Sequence, residues 1–320
     1  MKQLKAIDLF KVFAALLVVA AHARPINSYE LSCFYRLAVP FFFTVSSYLY
    51  FTKKVDFTKY AKRILQLYAV WFVLEIGVVY SRFFSGVPLS TAIFNFTKAL
   101  LFTNTFWESW YLIASVEAVG LCVLLSKKLN NWMLMAVGIL LYIPSLCASS
   151  YYGNLSQQVA GVIDSVSFII PLTNSFVVAF LYIVLGKIMA ERDFNISLKM
   201  LLPMELLALF LWACEIYVQE PFARSYRSFV MLPFVVFLLV LILKNDRFSQ
   251  LPISKDTCRY FRISSTLVYL SHVIFISLVS HLLGLQRSLM SYALVILCSF
   301  SFSYCIIYLS KKYPILKHLY

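Results

Sequence analysis

The chain has 320 residues, of which 62% are hydrophobic and 13% are charged, and its formal net charge is +14. Soluble domains carry roughly 45–50% apolar and about 25% charged residues, so this composition excludes a soluble protein and predicts a polytopic membrane protein. The cations lie between apolar runs, where the positive-inside rule and anionic membrane lipids account for them, so we expect no nucleic-acid partner. The seven cysteines form no CxxC pair and indicate no metal site.

The first 51 residues begin with an apolar helix that carries three ionisable side chains. Lys11 and His22 are eleven residues apart, which returns them to nearly the same helix face at 100° per residue. They then lie about 16 Å apart along the axis, and Asp8 lies one turn before Lys11 on that face. The sequence therefore predicts an acid, a base and an imidazole along one stripe of the first helix.

The same segment resembles a secretory signal, because Lys2 and Lys5 precede an apolar run that ends in the A-x-A pattern of residues 21–23. Asp8 and Lys11 inside the run argue against cleavage. We therefore expect the helix to be retained.

Ten apolar segments have the length expected of membrane spans, about 20 residues each. Their approximate ranges are 6–23, 36–52, 64–81, 109–126, 131–149, 167–189, 200–218, 227–243, 263–283 and 289–310. Alternating sides from a cytoplasmic N-terminus places twenty of the 28 Lys and Arg residues inside and seven outside, with Lys11 in the membrane. We expect an all-α polytopic membrane protein, with a single domain over residues 1–320, about ten transmembrane helices around a central cavity, and both termini in the cytoplasm.

Two segments between these spans are less regular. Residues 92–106 are partly apolar but contain Asn95, Lys98 and Asn104, which predicts a re-entrant or interfacial helix on the outer side. Residues 149–165 are predicted to form an outer loop, whose Tyr, Asn and Gln side chains suit contact with sugars or peptide and equally suit an ordinary solvated loop.

Ionisable side chains inside apolar segments are candidates for function, because burying such groups in a bilayer is costly. They are Asp8, Lys11, His22, Glu75, Glu117, Glu205, Glu215, His272 and His281. Hydrogen bonds between helices would account for Glu75, Glu205 and Glu215, and an interfacial position for His281. Asp8 and Lys11 could form only an i,i+3 ion pair, but apolar side chains replace a buried pair at little cost, which favours a functional role.

A cluster of basic residues precedes the third span: Lys53, Lys54, Lys59, Lys62 and Arg63. Such a cluster can be a topology signal. It can also bind an anionic cytosolic ligand such as a phosphate-bearing donor, and the spacing leaves both interpretations open.

Five stretches, in order over nearly the whole chain, resemble the signatures of acyltransferase family 3. The family consists of integral-membrane acyltransferases that acylate cell-surface sugars and related acceptors. The first signature is a basic residue, ten intervening residues and a histidine, here Lys11 and His22. The others are RLAVPFFF from Arg36, KRILQLYAVW from Lys62, Trp110-Tyr111-Leu112 with Glu117, and SSTLVYLSH ending at His272.

The resemblance implies transfer from cytosolic acyl-CoA, with acetyl-CoA as the expected donor, to a hydroxyl of a cell-surface glycan or glycolipid precursor at a bacterial plasma membrane. It makes His22 the general base, with Lys11 and Asp8 holding charge on the same face. It assigns the donor phosphates to Lys59, Lys62 and Arg63. The cavity would be lined by Arg36, Trp110, Tyr111, Glu117, Tyr269 and His272. It implies no permanently bound cofactor or metal.

Three positions depart from the family pattern. Lys11 stands where the family usually has Arg, and Lys lacks the bidentate fork of Arg. Gln66 replaces the second basic residue of the third signature, and Ser109 stands where relatives commonly have His.

The segment RLAVPFFFTVSSYLYF also resembles the membrane half of vancomycin-resistance serine racemases, where the fold is thought to serve amino-acid transport. The alternative function is therefore a transporter or flippase for a small amino acid or cell-envelope precursor. A non-catalytic receptor or scaffold is a third interpretation, and it predicts no dependence on Lys11 or His22.

Overall fold

A computed structural model of the chain describes residues 5–106, 109–192, 196–220, 227–244 and 252–320. Lys2, one of the two lysines in the comparison with a secretory signal, lies outside them. Within these residues the regular structure is helical and contains no strand, which confirms the predicted all-α class. The α-helices are α1 (Lys5–Ala23), α2 (Tyr29–Tyr35), α3 (Ala38–Thr52), α4 (Phe57–Leu74), α5 (Ile76–Phe83), α6 (Leu89–Phe102), α7 (Trp110–Leu125), α8 (Asn131–Cys147), α9 (Gln157–Ile169), α10 (Phe176–Glu191), α11 (Leu198–Gln219), α12 (Met231–Lys244), α13 (Lys255–Leu283) and α14 (Leu289–Leu309). Short 3₁₀ helices span Tyr152–Asn154 and Pro314–Leu319.

Short polar side chains fix where several helices begin. Asp56 Oδ1 accepts a backbone N–H at 3.1 Å in the first turn of α4, and Ser254 Oγ does the same at 3.0 Å in α13. Asn130 Oδ1 accepts two N–H groups at the start of α8, each at 3.0 Å. Gly284 ends α13 with φ of +65°, a left-handed conformation that glycine adopts without steric cost.

Several described helices are long and apolar enough to cross a bilayer: α1, α11, α13 and α14. Together α4 and α5 would form another span, although the chain bends by 75° between them. Helices α6, α7, α8 and α12 are apolar but shorter. The helices agree with a membrane protein, whereas the count of ten spans, the central cavity and the side of the termini stay predictions.

Two predicted spans are not continuous helices. The segment 64–81 is divided at Glu75, where the bend lies. The segment 167–189 is interrupted between α9 and α10, because Pro171 has no N–H to donate and Ser175 caps a new helix.

Two other segments are more helical than predicted. The loop prediction for residues 149–165 is wrong in its second half, since α9 begins at Gln157 after the cap residue Ser156. Helix α13 begins eight residues before the predicted span 263–283, because its first two turns are helical but too polar to register as apolar. Residues 92–106 are largely helical, within α6.

The chain divides into two compact units. Unit 1 comprises Met1–Val45, Phe194–Glu220 and Tyr226–Tyr320, and unit 2 comprises Ser46–Asp193 and Pro221–Ser225. In unit 1, α13 packs against both α1 and α14, and α11 packs against α12. In unit 2, α10 packs against α7 and α8, and α4 packs against α7.

Candidate functional site

Helices α1 and α13 run parallel in unit 1. Ionisable residues of α1 therefore lie next to residues of α13, the helix that carries the last of the five signatures. Asp8 near the start of α1 pairs with Arg262 near the start of α13. His22 near the end of α1 lies beside His272, ten residues after Arg262. Between these pairs, Ala15 and Val19 belong to an apolar core cluster with α13 and α14.

The carboxylate of Asp8 is held by two hydrogen bonds from one guanidinium. Arg262 Nη2 donates to Asp8 Oδ2 at 3.2 Å, and Arg262 Nε donates to Oδ1 at 3.3 Å. The Asp8 side chain is 10% exposed and the Arg262 side chain 49% exposed. In the sequence, Arg262 was counted only among the twenty cations that the positive-inside rule places inside. Its contact with Asp8 was therefore not predicted. An acid buried in the first helix requires a cation, and that requirement was the available clue.

The imidazole rings of His22 and His272 lie with their centroids 5.2 Å apart and their planes tilted by 48°. His272 is fully buried, whereas His22 is half-buried. His272 Nδ1 lies 2.6 Å from the carbonyl oxygen of Tyr269. A carbonyl oxygen only accepts hydrogen bonds, so this contact is a hydrogen bond when Nδ1 carries a proton. The pair therefore combines one buried ring beside a carbonyl acceptor with one ring that is partly accessible.

A row of aromatic rings continues from His272. The ring centroid of Tyr269 lies 6.2 Å from that of His272 and 6.3 Å from that of Phe42. Phe42 also packs against the apolar cluster of α1, α13 and α14. His272 is thus linked through Tyr269 to Phe42, a residue that the sequence did not single out.

The other predicted residues of unit 1 lie on α1 and α2. Lys11 is half-buried on α1, one turn after Asp8. Arg36 is half-buried at the end of α2, a helix that packs against α1. Unit 1 therefore contains Asp8, Lys11, His22, Arg36, Tyr269 and His272, of which the structure places both His22 and Tyr269 next to His272.

The remaining cavity residues predicted from the sequence belong to α7 in unit 2. Trp110 is buried at the first position of α7, and Tyr111 and Glu117 are half-buried further along it. Glu117 Oε2 is buried and has no hydrogen-bond partner among the described residues. Within unit 2 these side chains form a polar edge on an otherwise apolar helix.

The predicted phosphate-binding residues are exposed on the first two turns of α4. Lys59, Lys62 and Arg63 all face solvent, near a helix N-terminus, where anions are favoured. Lys62 and Gln66 line an open groove of about 590 Å³ along α4. Gln66 thus lies in the groove at the point where the family usually has its second basic residue.

Glu215 is half-buried on α11. Glu215 on α11 accepts backbone N–H bonds from Phe229 at 2.6 Å and Val230 at 2.8 Å, just before α12. Glu215 therefore joins α11 to the turn that precedes α12. Among the described residues, no cluster of three or more His, Cys, Asp or Glu side chains is positioned to hold a metal ion.

Comparisons with known proteins add the family and its relatives. Residues 4–309 match the model of acyltransferase family 3, described as an acyltransferase domain. An amino-acid racemase of Enterococcus faecalis is 26% identical over 345 aligned residues, which cover 97% of this chain and 47% of the relative. A serine/alanine racemase of Enterococcus gallinarum is 28% identical over 172 residues, 48% of this chain and 24% of the relative. The chain spans about half the length of the first of these relatives.

No solved structure matches. Both resemblances found in the sequence motifs are confirmed.

Proposed function

Because the chain belongs to acyltransferase family 3, a family of membrane acyltransferases, we propose that it transfers an acyl group from cytosolic acyl-CoA to an acceptor hydroxyl outside. The expected acyl group is acetyl. The expected acceptor is a cell-surface glycan or glycolipid precursor, at the plasma membrane of a bacterium. The observation that carries this proposal is the contact of His22 with His272, on two helices that each bear a signature of the family.

In the proposed reaction, His22 takes the proton of the acceptor hydroxyl while the hydroxyl oxygen attacks the thioester carbon. The new C–O bond forms, the C–S bond breaks, and the coenzyme-A thiolate receives the proton back from the imidazolium. Imidazole suits this exchange because it gains and loses a proton near neutral pH. The half-buried position of His22 supports access by an acceptor.

His272 acts as a positioning residue in this proposal. Its hydrogen bond to the Tyr269 carbonyl holds the ring, and that ring packs on His22. Lys11 supplies the positive charge deeper along α1. Asp8 is already paired with Arg262, so we assign it the task of anchoring α1 to α13.

The donor phosphates are proposed to bind Lys59, Lys62 and Arg63. Their exposure and the groove beside Lys62 support this assignment.

The test is transfer of label from radiolabelled acetyl-CoA to candidate surface glycans by the purified protein in lipid nanodiscs. A general base contributes typically 10²–10⁴-fold, so we expect His22→Gln to reduce transfer by about that factor. His281→Gln is the matched control, because His281 is exposed in the last turn of α13. Full transfer by His22→Gln would contradict the role of His22 as the base.

The curated relatives favour one alternative. They are named as racemases of amino acids, and the first of them matches nearly all of this chain with about half of its own length. The chain would then move a small amino acid or a cell-envelope precursor across the membrane, with the buried charges serving a proton path. Uptake of radiolabelled serine into proteoliposomes, with no label transferred from acetyl-CoA to any glycan, would favour transport over acylation.

A further inference from the structure

A second cavity lies in unit 1, where α13 begins and α14 ends. Its volume is about 410 Å³, and it is lined by the start of α13, the end of α14 and the C-terminal segment. Its α13 residue Arg259 is thirteen residues from His272, about 20 Å along the helix axis. The cavity is therefore separate from the histidine pair.

The C-terminal segment folds back to form one wall of this cavity. The 3₁₀ helix Pro314–Leu319 follows α14, and its Leu319 side chain is buried. The hydroxyl of Tyr320 lies 3.0 Å from Ser310 Oγ, and both residues line the cavity. The last residue of the chain is thus held in place as part of a formed pocket.

Positive charge converges on the cavity from three segments of the chain. Arg259 comes from α13, Lys311 follows α14, and Lys317 comes from the terminal 3₁₀ helix. Asp256 also lines the cavity, and the three cations outnumber it among the described lining residues. All three cations are exposed, so their charges are hydrated when no anion is bound. A guanidinium beside two ammonium groups matches the geometry and charge of a phosphate.

Four tyrosines also line the cavity, together with Ile263, Ile307 and Ser310. Tyr260, Tyr304, Tyr308 and Tyr320 provide ring faces and hydroxyl groups around the cations. Tyrosine at the end of a membrane helix sits at headgroup level, with an apolar ring and a polar tip. The cavity therefore offers donors for an anionic group and an apolar surface for whatever carries it.

We propose that this cavity binds a phosphate group, either the headgroup of an anionic phospholipid or a soluble phosphate ester. Basic pockets between the ends of membrane helices bind anionic lipid headgroups by the same chemistry. The proposal does not depend on acyl transfer, because it rests on the lining residues of the cavity alone.

The experiment has a lipid arm and a soluble arm, both on the full chain. In the lipid arm, native mass spectrometry counts phosphatidylglycerol retained by protein from nanodiscs of phosphatidylglycerol and phosphatidylcholine. In the soluble arm, inorganic pyrophosphate is titrated against protein in detergent without anionic lipid. Lys311→Gln is compared with Lys312→Gln, a matched control, since Lys312 is exposed, lies next in sequence and is not part of the lining.

Each cation near an anionic headgroup contributes about fivefold in affinity. We expect Lys311→Gln to weaken binding about fivefold, and the triple variant Arg259→Gln/Lys311→Gln/Lys317→Gln about 100-fold, while Lys312→Gln binds like wild type. An effect in the lipid arm identifies a headgroup, and an effect in the soluble arm identifies a phosphate ester. Equal binding by Lys311→Gln and Lys312→Gln in both arms, or no binding of either probe by wild type, would overturn the proposal.

Discussion

At the scale of single residues, the ion pair between Asp8 and Arg262 has the clearest energetic consequence. The carboxylate is nearly buried, and the guanidinium is half-exposed. Removing the cation leaves the carboxylate without the two hydrogen bonds that offset its lost hydration. Replacing both charged residues by apolar ones leaves no unpaired buried charge, and apolar side chains fill a comparable volume.

We expect Arg262→Met to lower stability by about 1–3 kcal/mol, and Asp8→Leu in the same chain to restore most of the loss. Thermal unfolding of the detergent-solubilised protein measures both effects. Lys255→Met is the control, since Lys255 is exposed at the first position of α13. An unchanged midpoint for Arg262→Met would show that the pair does not stabilise the fold.

The same residues show what the sequence could and could not predict about the site. His22 stood out because an imidazole in an apolar helix has few structural explanations, and His272 because it ended a signature. Arg262 did not stand out, since a cation at the start of an apolar run is expected whether or not it pairs with an acid. Its pairing with Asp8 joins positions 254 residues apart, and helix periodicity carries no information over that distance.

At the scale of helices, α8 and α10 approach each other closely in unit 2 at Gly138 on α8. A Cβ atom at this position would lie 2.9 Å from Leu181 Cδ1 and 3.2 Å from the backbone Cα of Leu181 on α10. The backbone atom cannot move without shifting α10. Gly161 on α9 differs, because a Cβ atom there would meet nothing within 4 Å.

We therefore expect Gly138→Ala to destabilise the protein by about 1–3 kcal/mol through overpacking. Gly161→Ala should stabilise it by about 0.5–1 kcal/mol, because alanine favours the exposed interior of a helix. The two midpoints of thermal unfolding should thus move in opposite directions. An unchanged or raised midpoint for Gly138→Ala would contradict the close approach of α8 and α10.

Apolar runs predicted the helices better than they predicted where helices break. Helices α1, α8 and α14 end within a few residues of the predicted spans. The bend at Glu75 was missed because its neighbours are apolar on both sides, so composition gives no sign of a 75° turn. The start of α13 was missed because its first two turns are polar. These turns keep the hydrogen bonds of the helix, but they lie outside the apolar run that predicted the span.

At the scale of the whole molecule, the distribution of Lys and Arg predicts which end of each helix faces the cytoplasm. The short loop between α13 and α14 makes these helices a hairpin, so Gln286 and Lys312 lie at opposite ends of it. In a chain whose native cysteines are replaced, we expect a membrane-impermeant maleimide to label Gln286→Cys in intact cells. Lys312→Cys should react only after permeabilisation. The reverse pattern would place both termini outside.

The pairing of α1 with α13 also has a consequence for biosynthesis, because α13 is translated long after α1. Asp8 and Arg262 are 254 residues apart, and at roughly 5–20 residues per second the ribosome needs about 13 to 50 s to translate the chain between them. During that interval Asp8 and His22 of α1 lack their partners Arg262 and His272, because α13 has not yet been made. A polypeptide released before α13 therefore includes all of the long segment of unit 2, yet it lacks the partner of His22.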